Sequence, residues 1–163
     1  MKTLAAPWDA RSGPGQCLGA REICRGVGRL LIAYGHAPLN EVTLASGRRA
    51  DVMGISESAE IWIIEIKSCL EDFRFDQKWP EYREFCDRLF FAVGPPFPRE
   101  HLPPDTGLIV ADRYGGEILR PAPEHKLAPA RRRAITLRLA RAAALRLSAV
   151  LDPEHDLEFM PGS

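Results

Sequence analysis

The stretch "EIWIIEIKS", residues 60–68, decides how the chain folds. Trp62, Ile63, Ile64 and Ile66 form a nearly unbroken apolar run, which predicts a strand buried on both faces. Glu65 and Lys67 interrupt that run, where charge is expensive unless it is compensated. Side chains alternate along a strand. Glu65 and Lys67 therefore share one side with Ile61 and Ile63, while Trp62, Ile64 and Ile66 face the other and should pack against a helix. The preceding short strand opens on Asp51. If the two strands are neighbours, Asp51 lies beside Glu65 at their ends.

Two carboxylates about 4 Å apart repel by roughly 4 kcal/mol at an effective dielectric near 20. One lysine supplies one compensating charge, so the trio of Asp51, Glu65 and Lys67 keeps a charge deficit. Mg²⁺ suits such a place, because it takes one or two carboxylates and keeps several waters. It can polarise a phosphodiester and generate hydroxide. Lys67 can orient the attacking water or stabilise charge developing on the phosphate. The plainer reading of Glu-x-Lys on a strand is a surface ion pair. Two observations weigh against it: the strand around the pair is strongly apolar, and an acid precedes it by one hairpin.

Outward from this strand, Ile23, Val27, Leu30, Leu31 and Tyr34 fall at helical spacing over 20–34, and Gly35 offers a stop. "NEVTLASGRRADVMGI" (40–55) predicts a hairpin with a loop longer than two residues. Residues 70–88 are charged and aromatic and helical in part, with Pro80 in the first turn of a helix reaching about Asp87. "RLFFAV" is a strand, and the prolines of "GPPFPREHLPPDTG" rule out regular structure. "GLIVAD" and "EILRPA" form a second hairpin, and an Ala/Leu/Arg-rich segment from about 129 to 151 makes the longest helix. The expected organisation is an arm over 1–16, one domain over 17–151 and a tail over 152–163. The class is α/β, one central mixed sheet flanked by helices.

"RRADVMGI", "IWIIEIKSCLEDFRFDQKWPEY" and "GLIVADRYGGEIL" resemble the MmcB-related family of bacterial DNA repair proteins over roughly residues 18–150. The spacing from Asp51 to Glu65-Ile66-Lys67 is similar to the PD-(D/E)xK signature of restriction-endonuclease-like nucleases. The resemblance implies that Asp51 and Glu65 bind Mg²⁺ (or Mn²⁺), that Lys67 is the catalytic lysine, and that DNA is the partner, cut in repair. Ala50 stands where that signature has proline. The resemblance also implies a further acid. Glu22 on the first helix is one candidate, and Glu41 on the first strand is the favoured one. Some relatives carry a Gln and a Tyr four apart on the following helix; here Gln77 and Tyr82 are five apart. Many relatives act as homodimers.

Arg48 and Arg49, in the hairpin turn next to Asp51, are the nearest candidates for DNA contact, followed by Arg74 and Lys78. The arginines of 131–146 lie on a helix without acids. They could bind phosphates, or their stems could cover apolar surface. With 22 basic and 22 acidic residues, net charge is zero, so local charge must decide what binds. Four cysteines without CxxC spacing read as free thiols, with Cys69 a small buried residue. The scattered histidines give no zinc pattern, and no P-loop, GxSxG or GxGxxG is present. With no signal peptide and no long apolar span, the expected setting is the cytoplasm. Two other functions fit the same scaffold: a DNA-binding accessory protein without cleavage, and a protein-interaction module.

Overall fold

The computed structural model describes residues 19–75 and 78–154. The expected arm over 1–16, Cys17, Gln77 and the chain beyond 154 lie outside them. The elements are α1 (Ala20–Ala33), β1 (His36–Thr43), β2 (Arg49–Ser56), β3 (Ile61–Lys67), α2 (Leu70–Phe75), β4 (Arg88–Val93), β5 (Gly107–Ala111), β6 (Gly116–Arg120) and α3 (Pro129–Leu151). The six strands make one sheet in sequential order. β1, β2 and β3 form an antiparallel meander, β3–β4 and β4–β5 are parallel, and β6 returns antiparallel to β5. The result is a single α/β domain with a mixed sheet flanked by helices, compatible with a restriction-endonuclease-like fold.

β3 lies at the centre and obeys its alternation. Trp62 and Ile64 pack under Ile23, Val27, Leu30 and Leu31 of α1. Ile61 and Ile63 face a second core with Tyr82, Cys86, and Ile135 and Leu139 of α3. Burial on both faces is what removed the polar alternation from its sequence. Each fully buried Ile here contributes about 2 kcal/mol by transfer from water. α1 lies so close to the β5–β6 turn that a Cβ on Gly26 would sit 1.9 Å from the Asp112 carbonyl oxygen. Only glycine allows that approach.

Three elements depart from expectation; one is a short 3-10 turn at Arg99–His101 in the loop whose prolines argued against regular structure. β1 begins at His36, right after the turn at Gly35 (φ 76°), and so contains Pro38. β1 is an edge strand, bonded only to β2, so the missing proline N–H is tolerated. Residues Trp79–Phe85 with Pro80 form a 3-10 helix instead of an α-helix reaching Asp87.

Asp87 ties the second core together although it is only 2% exposed. Its Oδ2 accepts from Arg132 (2.6 Å) and the Ile61 N–H (2.8 Å). Its Oδ1 accepts from Arg132 (2.7 Å) and the Leu127 N–H (3.1 Å). Burial alone would raise the pKa of this carboxyl. The Arg132 hydrogen bonds and the two amides outweigh burial and hold it below the usual 3.8. One side chain thus fastens α3 and the segment before it to the start of β3.

Candidate active site

The β2–β3 ladder ends at the pair Val52–Ile64, although both strands continue. Beyond it, side chains replace the ladder. The Ile66 N–H donates to Asp51 Oδ2 at 2.8 Å, and the Asp51 N–H makes a long bond of 3.4 Å to Glu65 Oε1. Each carboxylate is therefore held by the backbone of the opposite strand. The local chain explains why Asp51 can reach sideways. Ala50 and Met53 face the second core and Val52 faces α1, so alternation breaks between Ala50 and Val52. The facing residue of β1, Glu41, has φ 49°, a left-handed conformation rare for a residue with a side chain.

Asp51 is partly exposed at the inner end of a cleft of about 600 Å³ that runs between α1 and β1. Glu65 and Lys67 are deeper, 3% and 7% exposed, on the side of β3 that carries Ile61 and Ile63. Asp51 and Glu65 are thus brought together as the sequence suggested, with Lys67 two residues along. Asp51 and Glu41 are felt by a neighbouring thiol. The Cys24 thiol, half-buried in the cleft, is pushed up by burial and then by the Asp51 and Glu41 carboxylates.

The remaining candidates separate. Glu41 lines the same cleft, exposed, with Arg49 3.9 Å away. Glu22 turns to Arg113 in the β5–β6 turn, 3.5 Å away, and does not line the cleft. Among the described residues no three His, Cys, Asp or Glu side chains gather closely enough to hold a metal. Neither acid therefore completes a three-residue cage. Arg48 is engaged by Glu81 at 2.6 Å and lies over the Tyr82 ring, which offsets its charge as a DNA contact. Arg49 is 62% exposed through its side chain and keeps its candidacy. Arg74, in the last turn of α2, and Lys78, just before the 3-10 helix, are exposed. Tyr82 is buried in the second core, and its hydroxyl donates to the Arg49 carbonyl at 3.0 Å. It therefore steadies the strand two residues before Asp51. Cys69, expected to be buried, is half-buried, and Cys24 and Cys86 are free thiols.

α3 settles the choice between phosphate contact and packing differently along its length. Arg132 is spent on Asp87, Arg131 on Glu84, and Arg138 on the Thr43 carbonyl. Arg146 lies over β1 and donates to the carbonyls of Asn40 and of Glu41. Two residues that line the Asp51 cleft had no place in the sequence reading: Arg21 and Arg25 on α1. Their signal was the four-residue spacing of like charges on one helix face. No helix among the described residues is long and apolar enough to cross a membrane.

The family model described as DNA repair protein MmcB-like matches residues 9–154. A solved structure of a protein of unknown function from Silicibacter pomeroyi is similar, with 47% sequence identity and a TM-score of 0.84. The match covers 90% of this chain and 99% of that one. No curated protein matches the chain.

Proposed function

The chain belongs to the MmcB-like DNA repair protein family, and from that premise we propose that it hydrolyses phosphodiester bonds of DNA at Asp51, Glu65 and Lys67. The observation that carries this reading is the interlock of the two carboxylates. Each is pinned by the other strand's backbone at the point where β2 and β3 part. A structural ion pair has no need of two acids fixed in this way. The donor set suits Mg²⁺, with Mn²⁺ as substitute, because that ion accepts one or two carboxylates and fills its other positions with water. A zinc-type cage of three or four protein ligands does not match it.

In this reading Asp51 and Glu65 hold the cation. When bound, Mg²⁺ supplies Lewis acidity to the scissile phosphate and to a water. The Lys67 ammonium orients that water or stabilises negative charge on the phosphate as the water oxygen bonds to phosphorus. The bond from phosphorus to one ester oxygen breaks, and a proton from the water ends on the departing oxygen. Glu41, exposed at the same cleft, would be a further acid toward the cation. Calorimetric titration of Mg²⁺ or Mn²⁺ tests the reading: the wild type binds, Asp51→Asn does not, and Lys67→Ala binds metal but no longer cuts DNA. Unchanged cleavage by folded Lys67→Ala refutes the assigned chemistry.

A second reading, a DNA-binding accessory protein without turnover, is favoured by the lack of a third close acid among the described residues. Wild-type protein that binds DNA and takes up no metal even with DNA present decides for it.

A further inference from the structure

The cleft that ends at Asp51 does not stop at the carboxylates. It continues into a second cleft of about 420 Å³, and the two share Cys24, Arg25, Asn40 and Arg146. One wall is α1, β1 makes the floor, and Arg146 of α3 reaches in from the other side. Charge along it is uneven. The first cleft carries Asp51 and Glu41 together with Arg21, Arg25 and Arg146, whereas the second carries Arg25, Arg29 and Arg146 and no acid. Arg21 and Arg25 are exposed, with no ion pair among the described residues. Arg146 donates to neutral carbonyls, which position its guanidinium and leave its charge in place. In a chain of zero net charge this is a local excess of positive charge that begins beside the two acids and runs on past them.

We propose that this cleft is the track of a nucleic-acid backbone, with Arg21 and Arg25 as phosphate contacts and Arg146 adding its charge from the facing wall. The proposal rests on the DNA reading above and assigns the face by which DNA enters. Four residues along α1 span about 6 Å. That is close to two axial phosphate steps of about 3.4 Å on one strand. The acids at the inner end hold a phosphate off unless a cation intervenes, whereas the arginines attract it without one. Backbone contacts of this kind bind without reading sequence.

Fluorescence anisotropy with labelled single-stranded and duplex DNA, free of divalent metal and run from about 50 to 200 mM salt, tests the track. For wild type, log K falls linearly with log salt. In the double variant Arg21→Ala/Arg25→Ala the slope shrinks by nearly two units on duplex, and binding at about 50 mM weakens more than about tenfold. Arg21→Lys/Arg25→Lys keeps most of the slope. The control Arg99→Ala/Arg133→Ala removes two exposed charges outside the cleft and leaves the slope as it was. Thermal melting confirms that each variant is folded. Wild-type binding with an unchanged slope in the alanine pair overturns the track and leaves the DNA reading standing. Absence of wild-type binding to both DNA forms overturns the DNA reading and the track with it.

Discussion

Replacing Asp87 with alanine removes the acceptor for four hydrogen bonds at once. Two come from Arg132, at 2.6 and 2.7 Å, and two from the Ile61 and Leu127 amides, at 2.8 and 3.1 Å. Breaking a buried pair by deleting one partner is worth about 3–5 kcal/mol, and each stranded amide adds about 1–3. Arg132 keeps 23% of its side chain in water, so its charge is partly solvated once freed. That exposure discounts the pair to about 2 kcal/mol, and with the two amides at about 1 each the expected loss is about 4 kcal/mol. With a urea m-value near 2 kcal/mol/M, the unfolding midpoint falls by about 2 M at unchanged m. The pH profile carries a second signature. Because the folded carboxyl lies below 3.8, the unfolded chain binds the proton first as pH falls. The contribution is therefore whole above about pH 5 and is lost as pH drops through the folded value. Asp87→Ala should lose that part of the acid limb. A variant within about 1 kcal/mol of wild type, or one with the same acid limb, refutes the reasoning.

Two further substitutions probe the scaffold. Gly26→Ala would normally strengthen a helix by about 1 kcal/mol. Here the new Cβ meets the Asp112 and Gly115 carbonyl oxygens at 1.9 and 2.4 Å, so about 2–3 kcal/mol should be lost, and a raised melting temperature would disprove the close approach. Tyr82→Phe deletes the bond to the Arg49 carbonyl and should lower stability by about 1 kcal/mol in urea titrations while the proposed DNA cleavage keeps its pH profile. A hundredfold slower cleavage by the folded variant would return Tyr82 to the chemistry.

How much of this was legible depended on how local each signal is. β3 announced itself through its apolar run, and the sides taken by Trp62, Ile64, Ile61 and Ile63 follow from alternation alone. The α1 spacing was equally readable. The 3-10 form of Trp79–Phe85 was not, because an aromatic, charged segment with a proline fits either helix. Pro38 hid the start of β1, since a proline is compatible with a strand only at an edge, and edges are a property of the whole sheet. Asp87 was invisible as a tie because its partners lie 26, 40 and 45 residues away. At the candidate site, the nearness of Asp51 to Glu65 followed from charge and spacing. Glu22 failed as a neighbour because α1 turns that position toward Arg113. Arg48 looked available until Glu81 claimed it.

The arginines that α3 lays over β1 have a consequence for solubility. An edge strand is a template on which another chain can add, unless something interrupts its row of polar groups. Here Arg138 and Arg146 occupy the carbonyls of Thr43, Asn40 and Glu41, and Pro38 offers no N–H at all. The helix thus shields an open flank of the sheet from strand addition by other copies. Shortening α3 before Arg138 would leave Asp87 and Arg132 paired and the fold's keystone intact. It would also remove Leu139 from the second core and uncover the β1 edge, and light scattering should then show growth by edge-to-edge association.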